Sequence, residues 1–193
     1  HAYGCAVDNS GNVYISGDTQ SSTNIATVTS HQSTFGGGIT DAFLAKFNST
    51  GVLQWSTYYG GSADDIGQLC STDPSGDIYL IGNTYSTNNI SSIGSHQSNL
   101  SGTQDVFLVK FNSSGVRQWG TYYGGSGDDF SCKVCTDAGN NSYISGYTAS
   151  TNSISTSGGH QPIHGGGIYD GFLVKFNSSG IQQWGTYYGG SGL

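Results

Sequence analysis

Short apolar runs separated by turn-forming residues recur along the whole chain. Residues 43–47, 107–111 and 172–176 each begin and end with Phe. Each run is followed by an N-S-[TS]-G tetrapeptide and then by a second run that ends in W-x-T-Y-Y. Runs of this kind, rich in aromatic and β-branched residues and bounded by Asn, Ser and Gly, are typical of strands joined by tight turns. Because apolar groups point to both sides of these strands, the sheets that they form must be covered on both faces.

The same pattern occurs three times. The segment that begins at Asp41 recurs from Asp105 and from Asp170, at a period of 64 to 65 residues. A second block, which starts at Val7 and recurs at Thr72 and Thr136, lies upstream of each segment. We therefore treat residues 1–193 as a single repeat domain and divide it into three units, at about 1–61, about 62–125 and about 126–193.

Each unit is predicted to contain four antiparallel strands. The first strand ends at an Asp that opens a D-x-x-G turn, at Asp8, Asp73 and Asp137, although the Gly comes one place earlier in the third unit. Asp can cap such a turn and Gly can adopt positive φ. The second strand follows at once, a long polar connection leads to the third, and the N-S-[TS]-G turn leads to the fourth. Tandem four-stranded sheets predict an all-β fold, a β-propeller with three four-stranded antiparallel blades per chain. A parallel β-helix is the alternative, but its coils are shorter and the tight turns here favour antiparallel pairs.

The repeated motifs also resemble a known family. D-x-F-[LV]-x-K-[FY], W-x-T-Y-[YL]-G-G and D-x-x-G-N-x-Y-[IV]-x-G are typical of bacterial β-propeller repeats of the SBBP type, and they cover essentially the whole chain. The resemblance implies a propeller from a secreted or cell-surface bacterial protein. It brings no catalytic residues with it.

Composition and charge exclude several classes of function. The chain contains 32 Gly and no Glu, so helix-forming residues are scarce. Its net charge of −7, with only five Lys and Arg residues, lacks the positive surface that nucleic-acid binding needs. No apolar run is long enough for a membrane-spanning helix and no leader sequence is evident, so no membrane insertion is expected.

Three blades are too few to close a ring, because propellers typically have about four to eight. Residues 189–192 repeat residues 124–127, and the segment from Ala2 continues the pattern. We therefore expect identical chains to associate head to tail, most simply as a dimer with six blades; nine blades from three chains is the alternative. A longer natural array that includes these blades is a further interpretation, and the two are compatible.

The antiparallel order places two kinds of connection on the same side of every blade. These are the long connection between the second and third strands and the G-G-S-x-D-D segment that leads to the next unit; we call this side the loop face. Loops held on a rigid scaffold are where ligands usually bind. The candidate ligand-binding residues are therefore those of the loop face: His31, His96, His160, Asp64, Asp65, Asp128 and Asp129.

These residues could also form a metal-binding site, but we do not favour that interpretation. Three histidines related by the repeat could surround an axis and bind a metal ion. Their spacing reflects the repeat alone, however, and we expect each His to hold its long connection by hydrogen bonds to the backbone. The Asp pairs could bind calcium, but no D-x-[DN]-x-[DN]-G series is present, and turn capping is favoured. No metal and no cofactor is expected.

Other repeated residues are assigned structural roles. Cys132 and Cys135 lie three apart on a predicted strand and point to opposite faces, so no zinc or redox pair is expected. Burial as small apolar groups on inner strands is predicted for Cys5, Cys70 and Cys132, and disulfide pairing between blades stays open. The repeated lysines are predicted to extend along a blade edge: Lys46, Lys110 and Lys175. Burial between blades is predicted for the three tryptophans: Trp55, Trp119 and Trp184.

Enzyme motifs are missing. The chain has no G-x-S-x-G, no G-x-x-x-x-G-K-[ST], no H-E-x-x-H and no Glu. The favoured function is therefore a non-catalytic scaffold or interaction module that associates with itself. A carbohydrate-binding propeller is the alternative, with one shallow pocket at each blade interface. An enzyme that uses the Asp cluster with a bound cation is a third hypothesis.

Overall fold

The computed structural model describes residues 1–192, which form twelve β-strands in three four-stranded sheets. Blade 1 contains β1 (Ala2–Val7), β2 (Val13–Thr19), β3 (Asp41–Phe47) and β4 (Leu53–Tyr59). Blade 2 contains β5 (Asp65–Thr72), β6 (Ile78–Thr84), β7 (Asp105–Phe111) and β8 (Arg117–Tyr123). Blade 3 contains β9 (Asp129–Thr136), β10 (Ser142–Thr148), β11 (Asp170–Phe176) and β12 (Gln182–Tyr188).

Strand order follows chain order in each blade, and every pair of neighbouring strands is antiparallel. This confirms the all-β prediction of three four-stranded blades and is not the pairing of a parallel β-helix. None of residues 1–192 belongs to a helix, and hence no helix that could cross a membrane is found among them.

The turn between the first two strands of each blade forms as the sequence predicts, with one difference. The Asp8 carboxylate accepts hydrogen bonds of 2.9 Å from the backbone N–H groups of Ser10 and Asn12, and Gly11 has φ of 78°. In blade 3 the residue with positive φ is Asn140, at 60°, and not the preceding glycine. Asn tolerates this conformation better than most residues, so the displaced Gly does not change the turn.

The blades pack against one another in series. β5 contacts β1, β2 and β3 of blade 1, and β9 contacts β5, β6 and β7 of blade 2. The first strands of consecutive blades therefore lie side by side, as they do near the axis of a propeller. We call the side of a blade that faces the next blade its forward face, and the opposite side its rear face. In blade 1 the forward face includes Tyr59, and in blade 2 the rear face includes Phe107 and Phe111, all fully buried.

The outer edge of each blade is covered by its own long connection. The N–H of Thr27 donates a 2.9 Å hydrogen bond to the carbonyl of Ser56 on β4. Ser92 bonds to Gly120 at 2.9 Å and Thr156 bonds to Gly185 at 3.0 Å in the same way on β8 and β12. The last strand of each blade thus has partners along part of both edges.

The prediction that the repeated lysines extend along a blade edge was wrong for Lys46 and Lys110, whereas Lys175 is only partly buried, on the uncovered forward face of blade 3. Lys46 and Lys110 are buried between blades. Their side chains point to the forward face, where the next blade covers them. Lys46 Nζ donates to the carbonyl of Ser113 in blade 2 at 2.9 Å, and Lys110 Nζ lies 3.1 Å from Asp73 and 3.0 Å from Asp77.

The prediction of buried cysteines holds only for Cys70. Cys5 and Cys132 are exposed, as is Cys135, and all four thiols are free. Cys5 lies on the rear face of blade 1, which none of the sheets formed by residues 1–192 covers. Cys132 lies in the β-bulge of β9, where the register against β10 shifts, so it does not share the environment of Cys70.

Candidate functional site

Each blade interface is closed by a tyrosine at the end of the outer strand. The Tyr59 hydroxyl donates to the carbonyl of Ile90 in blade 2, and its ring centroid lies 5.1 Å from that of Phe107. Tyr123 repeats this contact one blade further on, with a 2.7 Å hydrogen bond to Ile154. Burial raises the pKa of both phenols, so each one acts as a neutral hydrogen-bond donor.

A tryptophan four residues before this tyrosine, on the same face of the same strand, forms the second contact of each interface. Trp55 Nε1 donates to the carbonyl of Ser113 at 3.1 Å, and Trp119 Nε1 donates to that of Ser178 at 3.0 Å. The indole rings lie against the N-S-S-G turns of the next blade, so closely that a Cβ at Gly115 or Gly180 would come within 2.9 or 2.7 Å of the ring. The repeated Gly of this turn is therefore needed both for positive φ and for the approach of the ring.

The same residues are uncovered at the two ends of the series. On the forward face of blade 3, Tyr188 is 73% exposed and Trp184 is 36% exposed, whereas Tyr59 and Tyr123 are 0% exposed. Sequence analysis predicted burial of all three tryptophans, and this was wrong for Trp184 because blade 3 has no next blade among residues 1–192. The rear face of blade 1 is open in turn: Phe43 and Phe47 are only partly buried.

A serine on the rear face of blade 1 has no equivalent in blades 2 and 3. Ser56 occupies the position of Gly120 and Gly185, and its hydroxyl donates to the carbonyl of Ile25 at 2.6 Å. A Cβ at Gly120 would lie 2.5 Å from the Tyr59 hydroxyl. Ser56 therefore takes up space that the tyrosine of a preceding blade fills at the two internal interfaces.

The three histidines of the loop face lie beside the outer strands, one per blade, and do not meet. The ring of His31 packs 6.1 Å from Tyr59 and 5.6 Å from Phe111 of blade 2. His96 packs in the same way, while His160 has only Tyr188 beside it. Partial burial, with a contribution from the nearby Arg117 charge, lowers the pKa of His31 to about 4, and burial lowers the pKa of His96. Residues 1–192 contain no group of three His, Cys or Asp side chains that could hold a metal ion.

The hydrogen bonds that hold the long connection come from the glutamine after each histidine, which sequence analysis had not singled out. Gln32 Nε2 donates to the carbonyl of Thr34 at 3.1 Å, and its Oε1 accepts from the N–H of Gly60 at 3.1 Å. Gln97 and Gln161 repeat both bonds. The expectation that His would form such bonds was wrong, because the imidazole packs on aromatic rings instead.

The second Asp of each G-G-S-x-D-D segment caps its own turn. Asp65 Oδ2 accepts from the N–H of Gly61 at 2.7 Å and from the hydroxyl of Ser86 at 2.8 Å, and Asp129 does the same. The preceding residues are partly buried: Asp64 accepts a hydrogen bond from the N–H of Ile39 at 2.5 Å, and the carbonyl of Asp128 accepts one from Ala149. The contacts of Asp65 and Asp129 are the turn capping that the sequence favours, whereas Asp64 bonds to the long connection and the contact of Asp128 is made by its main chain.

A further buried carboxylate begins the third strand of each blade. Asp41 accepts a 2.5 Å hydrogen bond from the N–H of Gly36, and Asp105 accepts one of 2.6 Å from Gln97. Burial raises the pKa of both carboxyls to about 6. The repeated Asp two residues before each F-L pair is the sequence signal for this role, beyond marking where each unit aligns.

Two clefts open where the long connections of neighbouring blades meet, beside the start of an outer strand. The cleft between blades 1 and 2 has a volume of about 470 Å³. Blade 1 contributes His31, Gln32, Thr34, Phe35 and Gly36 to its lining, and blade 2 contributes Asn89, Ser91 and Arg117. The cleft between blades 2 and 3 has a volume of about 560 Å³ and is lined by equivalent positions, among them His96, Ser155 and Gln182. Sequence analysis placed the histidines near a binding surface, but Asn89, Ser91 and Arg117 join it only through the packing of blades.

No family model matches this chain. It is 25% identical over 184 residues to an uncharacterized WD repeat-containing protein of Acanthamoeba polyphaga mimivirus, an alignment that covers 79% of this chain. The chain spans only 13% of the length of that protein. WD repeats are a kind of β-propeller repeat, so the match agrees with the fold, while the more specific bacterial repeat family remains a resemblance of motifs.

Proposed function

We propose that this chain is a non-catalytic interaction module that supplies blades to a larger propeller. The blade interfaces use most of the repeated polar side chains for structure: the Asp residues cap turns and the Gln residues hold the long connections. The WD repeat-containing relative supports a scaffold role by analogy. The loop face then presents similar side chains from each blade at regular intervals.

The observation that carries the proposal is the difference between Tyr188 and its two equivalents. An aromatic residue that is 0% exposed at two interfaces is 73% exposed at the third. On the rear face of blade 1, Gly51 has no atom within 4 Å of the place where its Cβ would be, whereas Gly115 and Gly180 at the same position contact a tryptophan. The two open faces thus provide the two halves of an interface that the chain already forms twice.

We infer that a second copy of the chain occupies these faces, head to tail, and that two chains form a six-bladed ring. Exposed aromatic surface of this extent favours association, and the arrangement is closed and symmetric. Tyr59 and Tyr123 donate to a main-chain carbonyl of the next blade. In blade 1 the Ser56 hydroxyl already bonds to the equivalent carbonyl, that of Ile25, so the contact of Tyr188 in the ring must differ slightly. A hydrogen bond between the Tyr188 and Ser56 hydroxyls would replace the one to the main-chain carbonyl.

The solution mass tests this inference. Light scattering at micromolar concentration is expected to give the mass of two chains, and Tyr188→Ser is expected to shift the mass to one chain without loss of folding. Val28→Ser is the control, because Val28 is also an exposed apolar residue, at 95%, but lies in a long connection. A folded wild-type chain that stays monomeric would contradict association between copies and favour further blades of a longer polypeptide as the partner. A mass of three chains would support nine blades.

Carbohydrate binding is a second candidate function, and the interblade clefts favour it. This function predicted one shallow pocket per blade interface, and both internal interfaces have one. Hydroxyl, amide and imidazole groups dominate their lining, and such groups suit the hydroxyls of sugars. A glycan array without any hit would count against it.

A further inference from the structure

We propose that the cleft between blades 1 and 2 binds a saccharide unit that carries a carboxylate, with Arg117 as the group that recognises the charge. The proposal deepens the carbohydrate function above and rests on it. It concerns only one of the two clefts, because the residue that carries the charge is not repeated.

Arg117 is unusual in this protein. It is the only arginine of a chain with a net charge of −7, and it lies half-buried at the start of β8. Lys110 and Lys175 are paired with carboxylates. In contrast, none of the ion pairs found among residues 1–192 involves Arg117. Its contacts within the chain are to neutral groups, including a long hydrogen bond of 3.5 Å to the carbonyl of Asn89. A guanidinium with free donors in a cleft can bind a carboxylate through two parallel hydrogen bonds.

The surroundings of Arg117 keep it the only cation of the cleft. Desolvation of the His31 imidazole where it packs on aromatic rings, together with the nearby guanidinium charge, lowers its pKa and disfavours a second positive charge in the cleft. The imidazole is therefore neutral near pH 7 and offers one donor and one acceptor. A ligand in this cleft meets one positive charge and several neutral hydrogen-bonding groups.

The size of the cleft and the rest of its lining favour a sugar over a small inorganic anion. A volume of about 470 Å³ lies within the range of organic-ligand pockets. The hydroxyls of Thr34 and Ser91 and the amide of Asn89 line it together with Phe35. The Phe35 ring is partly exposed, and an aromatic face of this kind packs against the apolar C–H face of a sugar ring.

The second cleft provides an internal comparison. Gln182 occupies the position of Arg117, and Leu100 occupies that of Phe35. This cleft is of similar size, about 560 Å³, and has similar polar groups, but neither the guanidinium nor the aromatic ring. The proposal therefore predicts that acidic saccharides bind to one site per chain.

Titration calorimetry with digalacturonate, neutral digalactose and inorganic phosphate tests the proposal. Digalacturonate is expected to bind once per chain. Arg117→Gln is expected to weaken that binding at least tenfold and to weaken any binding of digalactose much less, because only the acidic sugar loses a charge partner. Gln182→Arg is expected to add a second digalacturonate site. Thermal unfolding of both variants confirms that they are folded, since both positions lie at the start of an outer strand.

Three results would overturn the proposal, and they have different meanings. Equal binding of digalactose and digalacturonate, unaffected by Arg117→Gln, would remove the charge recognition but keep the carbohydrate function. Binding of phosphate as tight as that of digalacturonate would make the cleft a general anion site. No binding of either disaccharide at millimolar concentration would overturn the proposal, and the glycan array would then decide whether the carbohydrate function falls with it, while association between chains would still stand.

Discussion

Asn83 and Ser131 join blades 2 and 3 through two buried hydrogen bonds. Asn83 Oδ1 accepts from the N–H of Ser131 at 2.8 Å and from its hydroxyl at 2.9 Å. The equivalents of Asn83 are Asp18 in blade 1 and Tyr147 in blade 3, so this pair of bonds is specific to one interface.

Replacement of Asn83 by Ala leaves two buried donors without an acceptor. We expect the free energy of unfolding to fall by about 1 to 3 kcal/mol, measured by urea denaturation. Asn99→Ala is the control, because Asn99 lies on the exposed long connection and its side chain bonds only to Ser98. Equal stability of the two variants would show that water replaces the lost acceptor.

Trp119 and Trp184 occupy the same position in consecutive blades but differ in burial. Trp119→Ala removes a ring that is 8% exposed and is expected to lower the free energy of unfolding by about 3 to 5 kcal/mol. In dilute solution, where the chains are dissociated, Trp184→Ala is expected to lower the free energy of unfolding much less. At higher concentration the same change is expected to weaken association between chains. Denaturation at several protein concentrations separates the two effects, and a similar loss for both variants in dilute solution would contradict this prediction.

Ser56 is expected to limit how tightly two copies associate. Ser56→Gly gives blade 1 the residue that blades 2 and 3 have at this position, and it opens the space beside the carbonyl of Ile25 for the Tyr188 hydroxyl. We expect the dissociation constant, measured by sedimentation, to fall several-fold. Ser56→Ala keeps the Cβ and is not expected to strengthen association, so equal constants for the two variants would argue against the predicted contact.

The depressed pKa of His31 predicts a contribution to pH dependence. An imidazole in an unfolded chain has a pKa of about 6.5, and that of His31 in the folded chain is about 4. Between these values the unfolded chain binds more protons, so the contribution of His31 to stability is lost as the pH falls from about 6.5 to 4.

His31→Gln removes this contribution. Urea denaturation at pH 7 and pH 4.5 is expected to show a smaller loss of stability on acidification for the variant than for the wild type. Asp41, Asp65 and Asp105, whose pKa values burial raises to about 6, act in the opposite direction. They are present in both proteins and therefore cancel in the comparison. Parallel pH curves would mean that the His31 ring is as well solvated as in the unfolded chain.

The sequence was sufficient to predict the blades, because the strand and turn patterns are local and occur three times. The turns at Asp8, Asp73 and Asp137 and the alternation of the strands follow from the order of residues alone. Contacts between blades were less predictable. Whether Lys46 points to a solvated edge or into an interface depends on which face the next blade covers, and this is a property of packing.

The candidate cleft illustrates the same limit. His31 was found because it is repeated, whereas Arg117 was passed over because it is not. The two residues are far apart in sequence and come together only when blade 2 packs on blade 1. The different exposure of Trp119 and Trp184 could not be predicted either, since the motif around them is the same.

The hydrogen bonds between each long connection and its outer strand restrict how copies of this protein can meet. Thr27, Ser92 and Thr156 occupy the main-chain acceptors through which one sheet could otherwise extend into another. Contact between copies is thereby directed to the flat sides of the terminal blades, and lateral growth into fibrils through strand pairing is disfavoured.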